Sequence, residues 1–311
     1  MIFDKMNNLL DAWDKKILSA IEFDYTISHS QIAKKIRRSK PFVAFRIKRM
    51  EQLKMLQYQP LIDYSRLGYT YYRVIIETLL EKEEILKHIK DTIKTVWLVE
   101  KYDRENFVFV IRADSFGHFQ KMWEMLYEEL APYILTKDIS IAYRVYHLPM
   151  TFLTGNLRDQ YFTSGAQEKT EVSEKEQRIL EALTGNPKIS NKDLCKKIKI
   201  SANTLKQYIK KLRNQRVLLA FQTLIDKKIL DIKHYKLFLS FEFSQANKEK
   251  VIRVLKKHPN VVYITETSYH YDLECEIYCY DDFEDIIKEI KESYPFKRVI
   301  ISQMKSEQKS S

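Results

Sequence analysis

The stretch Asp14–Leu56, DKKILSAIEFDYTISHSQIAKKIRRSKPFVAFRIKRMEQLKML, has a second copy further along the chain. Shifted by 162 residues it meets Glu176–Leu218, EQRILEALTGNPKISNKDLCKKIKISANTLKQYIKKLRNQRVL, without a gap, and 12 of the 43 aligned positions are identical. The identities fall where a packed unit needs them: Ile17/Ile179 and Leu18/Leu180, Ile36/Ile198, Ser39/Ser201, Ile47/Ile209 and Leu56/Leu218. Repeats are sought first because an unseen one misassigns the whole fold.

Each copy reads as three helices and a strand. A first helix carries Leu10, Trp13, Ile17, Leu18 and Ile21 at helical spacing, matched by Ile179, Leu180 and Leu183. Ser28 and Ser190 are N-caps for a short helix, whose apolar face is Ile32, Ala33 and Ile36 in one copy and Leu194, Cys195 and Ile198 in the other. Ser39 and Ser201 cap a third helix with Val43, Ile47 and Met50, or Leu205, Ile209 and Leu212, at i, i+4 and i+7. Pro41 falls in its first turn, where a missing N–H costs little. Met55–Leu61 and Val217–Leu224 read as the strand of a wing. A short turn between second and third helices makes this a winged helix-turn-helix.

Behind each wing the pattern changes to strand, helix, two strands, helix, strand. The first set is Tyr71–Leu80, Lys82–Thr92, Val96–Tyr102, Phe107–Arg112, Phe116–Leu130 and Asp138–Arg144; the second is Tyr235–Phe243, Lys248–His258, Val261–Ser268, Asp272–Tyr280, Phe283–Ser293 and Arg298–Ser302. The order βαββαβ is that of a ferredoxin-like sandwich. The fold class is therefore α+β, with two winged helix-turn-helix domains (1–63 and 173–226) and two ferredoxin-like domains (64–148 and 227–304). A linker is placed at 149–172, where periodicity is lost, and a polar, frayed tail at 305–311.

The formal charge is +11 and the apolar content 45%, which excludes a disordered chain and favours a polyanionic partner. That charge is concentrated. Ser30–Lys54 holds nine basic residues against Glu51 alone, and Lys192–Arg216 nine against Asp193 alone, so the rest of the chain is net acidic. A charge excess landing twice on one motif is the footprint of a duplex-binding protein. With five glycines, no phosphate-cradling glycine loop can be written, and no HExxH, CxxC or GxSxG occurs. The three cysteines, Cys195, Cys275 and Cys279, have no framework spacing and read as packing groups of a reducing compartment. No run reaches the length of a membrane span and no signal-peptide layout is present, which places the protein in the cytoplasm.

The outward face of the third helix presents Lys40, Ala44, Phe45, Lys48 and Arg49 in the first copy, and Asn203, Lys206, Gln207 and Lys210 in the second. Cationic and amide side chains of these kinds read guanine and adenine edges in the major groove. Lys40, Phe45, Lys48, Arg49, Asn203, Lys206, Gln207 and Lys210 are thus the candidate DNA-reading residues, Phe45 against a thymine methyl or against a neighbouring helix. Lys34, Lys35, Arg37, Arg38, Lys196, Lys197 and Lys199 are candidates for phosphate. No catalytic residue, metal or cofactor is assigned.

The run Leu10-Asp11, Asp14, Ile17-Leu18, then Ile32-Ala33-Lys34, Ser39, Val43, Arg46-Ile47-Lys48-Arg49-Met50-Glu51 and Met55-Leu56, together with Leu67-Gly68-Tyr69, resembles the Lrp/AsnC family of transcription regulators. The resemblance implies a DNA-binding head followed by a βαββαβ domain that mediates pairing and in many members binds an amino acid. Two departures stand out. Lys54 and Arg216 occupy positions where the family has glycine, at a cost of about 1 kcal/mol if the backbone there is left-handed. Asp103 and Tyr269 stand at the glycine of the family's effector stretch, with Asn106 and Asp272 at its aspartate, so the amino acid is not carried over and any effector stays unnamed. The expectation is a non-enzymatic regulator of double-stranded DNA whose two α/β domains pair within one chain, pairing between two chains being left open. The rival reading is a siroheme-decarboxylase-like enzyme of the same duplicated architecture, with His270 and Arg104 as its candidate residues.

Overall fold

Short polar side chains set the start of each helix in both repeats. In the computed structural model, which describes residues 9–93, 95–101, 106–154, 160–268, 271–280 and 282–309, Asp11 caps helix α1 (Ala12–Ile21) through the Trp13 and Asp14 amides. Ser28 caps α2 (His29–Ile36), with Gln31 returning the bond, and Ser39 caps α3 (Lys40–Gln52). After strand β1 (Leu56–Ile62) the first α/β domain runs β2 (Thr70–Thr78), α4 (Lys82–Thr92), β3 (Thr95–Lys101), β4 (Asn106–Ala113), α5 (Phe116–Leu130) and β5 (Ile134–His147). A one-turn helix α6 (Thr151–Thr154) and strand β6 (Phe162–Ser164) follow. The order then recurs: α7 (Glu174–Gly185), α8 (Asn191–Ile198), α9 (Ala202–Asn214), β7 (Leu218–Ile225), β8 (Lys233–Ser240), α10 (Gln245–Lys257), β9 (Val261–Thr267), β10 (Leu273–Cys279), α11 (Phe283–Ser293) and β11 (Arg298–Lys309). Ser173, Ser190 and Ser201 cap α7, α8 and α9. The fold is mixed α+β.

The chain divides into two units, and each unit draws like parts from both repeats. The first collects the two helix-turn-helix segments, the second the two α/β domains.

In the first unit, Ile17, Leu18, Ile32, Val43 and Met50 are buried, as are Ile179, Leu180, Leu194, Leu205 and Leu212. The strand of each copy finds its partner in the other copy: β1 and β7 pair antiparallel from Leu56↔Ile225 to Ile62↔Leu218. The register is centred on Gln59↔Gln222, whose side-chain amides also bond at 3.0 Å. The pairs are therefore reciprocal about a local two-fold axis through Gln59 and Gln222: Leu56 meets Ile225, and its repeat-equivalent Leu218 meets Ile62. Further bonds fasten one copy to the other: Tyr25 Oη donates to the Pro187 carbonyl at 2.7 Å, and Thr223 Oγ1 to that of Ile21 at 2.8 Å.

In the second unit, each α/β domain buries one sheet face under its helices. Val74, Ile76, Phe107 and Phe109 pack on Ile85, Ile89, Phe119 and Leu126; Leu237, Leu239, Cys275 and Ile277 pack on Val251, Leu255, Ile287 and Ile290. The strand orders β5-β2-β4-β3 and β11-β8-β10-β9 are those of the ferredoxin-like sandwich, and they join edge to edge through β3–β11 and β5–β9. Because β2 also pairs with β5, eight strands close into a ring. Closure leaves no open edge among those eight strands. Glu266 of β9 reaches Arg144 of β5 at 3.0 Å, and Glu100 of β3 reaches Lys305 of β11 at 2.9 Å, so each seam carries an ion pair from the same strand type. The strand faces turned away from the helices hold Ile75, Val99, Val108 and Met304. They also hold a buried polar set: Arg73 on Glu274, Lys236 Nζ 2.8 Å from Glu274, and His234 Nε2 3.0 Å from Glu276.

Two boundaries differ from the sequence reading. The segment read as a frayed polar tail is β-strand through Lys309, paired with β3 from Met304↔Lys101 to Lys309↔Trp97. Backbone pairing at that seam needs no apolar side chains, so its polarity misleads. The segment read as linker holds α6 and β6, and β6 lies beside β5.

Candidate nucleic-acid interface

The turn between second and third helices is built alike in both heads. α2 ends on Arg37 at φ 57° and α8 on Lys199 at φ 58°; each N–H returns to carbonyls of its own helix, which reverses the chain within three residues. The backbone before each ribbon strand is left-handed too, at Lys54 (φ 56°) and Arg216 (φ 57°). That is the conformation glycine takes most easily, and two cationic side chains take it here.

On α3 the side chains of Lys40, Phe45 and Lys48 are exposed, Phe45 to 65%. On α9 Asn203, Lys206, Gln207 and Lys210 are all exposed. Arg49 is placed differently. Its Nη2 lies 2.9 Å from the fully buried Asp14 carboxylate and 2.6 Å from the Leu9 carbonyl. Arg46 joins the same cluster, on Asp11 and 3.2 Å from Asp14. Hydrogen bonds from the Asp14 and Trp13 amides and from Arg46 outweigh burial and hold the Asp11 carboxyl below its usual range. The second head repeats the device with other side chains: Lys211 Nζ is 2.9 Å from the fully buried Glu176. Arg49 and Lys211 are equivalent in the repeat, as are Asp14 and Glu176. Each pair ties the first helix of a head to its third, so Arg49 is held within the head and does not stand among the outward residues of α3.

The phosphate candidates Lys34, Lys35, Arg37, Arg38, Lys196, Lys197 and Lys199 are all exposed. In the first head Lys34, Arg37, Arg38 and Lys40 rim an open depression of about 730 Å³ with Ser30 and Ser39. The Arg38 guanidinium lies 3.9 Å from the Trp13 ring centroid. Glu51, the lone acid of the first basic stretch, is engaged by Lys188 Nζ at 2.5 Å and Tyr58 Oη at 2.6 Å. Those bonds, with Lys188 foremost, overcome burial and keep its carboxyl below the ordinary range. In the second basic stretch the lone acid, Asp193, is exposed and accepts from the cap hydroxyl of Ser190 at 2.6 Å.

Among the other residues singled out, Arg104, His270, Asp103 and Tyr269 lie outside the described residues, as does the Asn106 side chain. Asp272 is occupied, its carboxylate accepting the Phe241 amide at 2.9 Å. Cys275 and Cys279 are buried, and burial pushes the Cys275 thiol well up. Among the described residues no cluster of three His, Cys, Asp or Glu is placed to hold a metal, and no helix is long and apolar enough to cross a membrane.

Residues 172–218 match a winged helix-turn-helix DNA-binding family. That stretch is the second head. No curated protein matches the chain. Among solved structures, siroheme decarboxylase NirDL aligns with 96% of this chain and 92% of its own at TM-score 0.63 and 14% identity. The same enzyme with an iron-uroporphyrin III analogue gives 0.61 and 13% over the same shares. E. coli AsnC covers 43% of this chain and 91% of its own, at TM-score 0.38 and 18% identity. The first likeness establishes the fold of both repeats together. It also overturns the expectation that the chain is not an enzyme, because that full-length structural counterpart is one.

Proposed function

We propose that the chain is a sequence-specific regulator of the Lrp/AsnC type that grips double-stranded DNA with two unlike winged helix-turn-helix heads. The observation that carries this is the repeated outward face: Lys40, Phe45 and Lys48 on one third helix, Asn203, Lys206, Gln207 and Lys210 on the other, on heads held about one local axis. The family match over the second head and the two basic stretches support it. On this reading Lys34, Lys35, Arg37 and Arg38, with Lys196, Lys197 and Lys199, take phosphates, and Arg49 positions α3. The α/β ring does within one chain what two chains do in the family. A small-molecule effector, further pairing of chains and a cytoplasmic location go with the same reading. The test is an anisotropy titration of the full chain with labelled duplex over a range of salt. Affinity falling steeply with salt is the expected result; no binding at low salt would refute the proposal.

The full-length likeness to NirDL favours a second reading, a siroheme-decarboxylase-like activity. It is tested by anaerobic incubation with siroheme and mass spectrometry of the tetrapyrrole. Loss of carbon dioxide supports it, and an unchanged mass over many hours eliminates it. The two readings do not exclude each other.

A further inference from the structure

With the 162-residue offset, Phe45 aligns with Gln207, Ala44 with Lys206 and Lys48 with Lys210. Helices α3 and α9 start from equivalent serine caps and have the same length, so each pair occupies the same turn of an equivalent helix. The cation at 48 and 210 is common to both heads and exposed in both. The neighbouring position is where they part: a phenyl ring 65% exposed in one, an exposed carboxamide in the other.

A solitary exposed aromatic is ordinary on a protein surface. This one lies one turn from Lys48 on the exposed side of α3, and Val43, Ile47 and Met50 fill the core without it. A phenyl ring offers no hydrogen bond. In the major groove the group it can hold is the C5 methyl of thymine. A carboxamide can donate an N–H to adenine N7 while its oxygen accepts from the N6 amino group. The ribbon centred on Gln59 and Gln222 keeps the two heads in one arrangement.

Resting on the reading of α3 and α9 as recognition helices, we infer that Phe45 selects a thymine methyl in one half-site while Gln207 selects adenine at the equivalent step of the other. The chain then reads an operator with two unlike halves in a fixed order.

The experiment uses the full chain. Binding sites are selected from a random duplex library with wild type, Phe45→Ala and Phe45→Gln, and the wild-type site is then altered one half at a time. Replacing thymine by uracil in the Phe45 half should weaken binding about fourfold, the transfer value of one buried methyl, and the effect should vanish in Phe45→Ala. Uracil in the other half should change nothing there, while 7-deazaadenine should weaken binding about tenfold. Phe45→Gln should select a site whose halves agree at that step. Thermal melting should be the same in all three proteins, because the position is exposed. A uracil effect that persists in Phe45→Ala, or is equal in both halves, would overturn the inference and leave DNA binding standing. Failure to bind any duplex at low salt would sink the DNA-binding reading itself, and the inference with it.

Discussion

Lys48 and Lys210 are the one cation pair shared by α3 and α9 and exposed on both, so replacing both with alanine probes the proposed interface where the heads agree. Each lysine that neutralises one phosphate of B-DNA contributes about 0.9 to the slope of log affinity against log salt, so the double variant should lose about 1.8 from it. At 0.1 M salt that slope corresponds to about 60-fold in affinity relative to 1 M, and a loss of at least about tenfold is expected once partial contact is allowed for. Stability should barely move. Neither residue belongs to the Asp14 or Glu176 clusters, and exposed charges contribute at most about 1 kcal/mol. The assay is anisotropy with one labelled duplex from 50 to 400 mM salt, run beside differential scanning fluorimetry. Unchanged affinity and unchanged slope in a folded double variant would refute the placement of the recognition face. A fall in melting temperature that accounts for the lost binding would refute the claim that these side chains stand clear of the fold.

Other consequences are open to measurement. Asp14→Ala leaves Arg46 and Arg49 without their shared buried partner and should cost about 2–3 kcal/mol in chemical denaturation, below the full value for a buried pair because both guanidinium groups reach water. Since Lys188 and Tyr58 lower the Glu51 carboxyl below its ordinary value near 4.5, the stability it brings is complete above that pH and is lost as the pH falls through the folded value. Denaturation midpoints followed from pH 7 to 3 should therefore drop more for wild type than for Glu51→Gln. Glycine at Lys54 or Arg216 relieves a left-handed side chain and should raise stability by about 0.5 kcal/mol each, the relief of 1–2 kcal/mol being offset by the greater freedom of unfolded glycine. Removing residues 303–311 strips β3 of its partner and uncovers a strand edge. Light scattering should then show association, and a monodisperse, equally stable product would contradict the closed ring.

The helices of both heads and the βαββαβ order were legible because their signals are local: serine caps, apolar residues at i, i+4 and i+7, and β-branched runs between polar turns. What depended on a distant partner was not. Met55–Leu61 and Val217–Leu224 read as wing strands with no partner specified, and β1 and β7 pair with each other across the repeats. A strand's period says which face is apolar and nothing about which strand lies beside it. Helical angle alone places Arg49 outward, but a long guanidinium reaches around a helix to a buried carboxylate. A signal for that was present, since both copies keep an acid at 14 and 176 and a base at 49 and 211. Ile209, at a core position by spacing, is half-buried, its helix relying on Leu205 and Leu212.

The ribbon between β1 and β7 joins residues 163 apart in sequence at its centre. During synthesis, at roughly 5–20 residues per second, the first half leaves the ribosome with β1 unpaired and waits about 10–30 seconds for β7 to emerge. The wait is longer for the α/β ring, whose β3–β11 seam needs a strand made later still. Folding therefore passes through a stage in which an N-terminal half presents the same unsatisfied strand to any neighbouring nascent chain. Two such halves on one polysome have an intermolecular pairing open to them until their own second copies arrive. Chains made at high density should accordingly yield some strand-exchanged dimers, in a proportion set by the elongation rate.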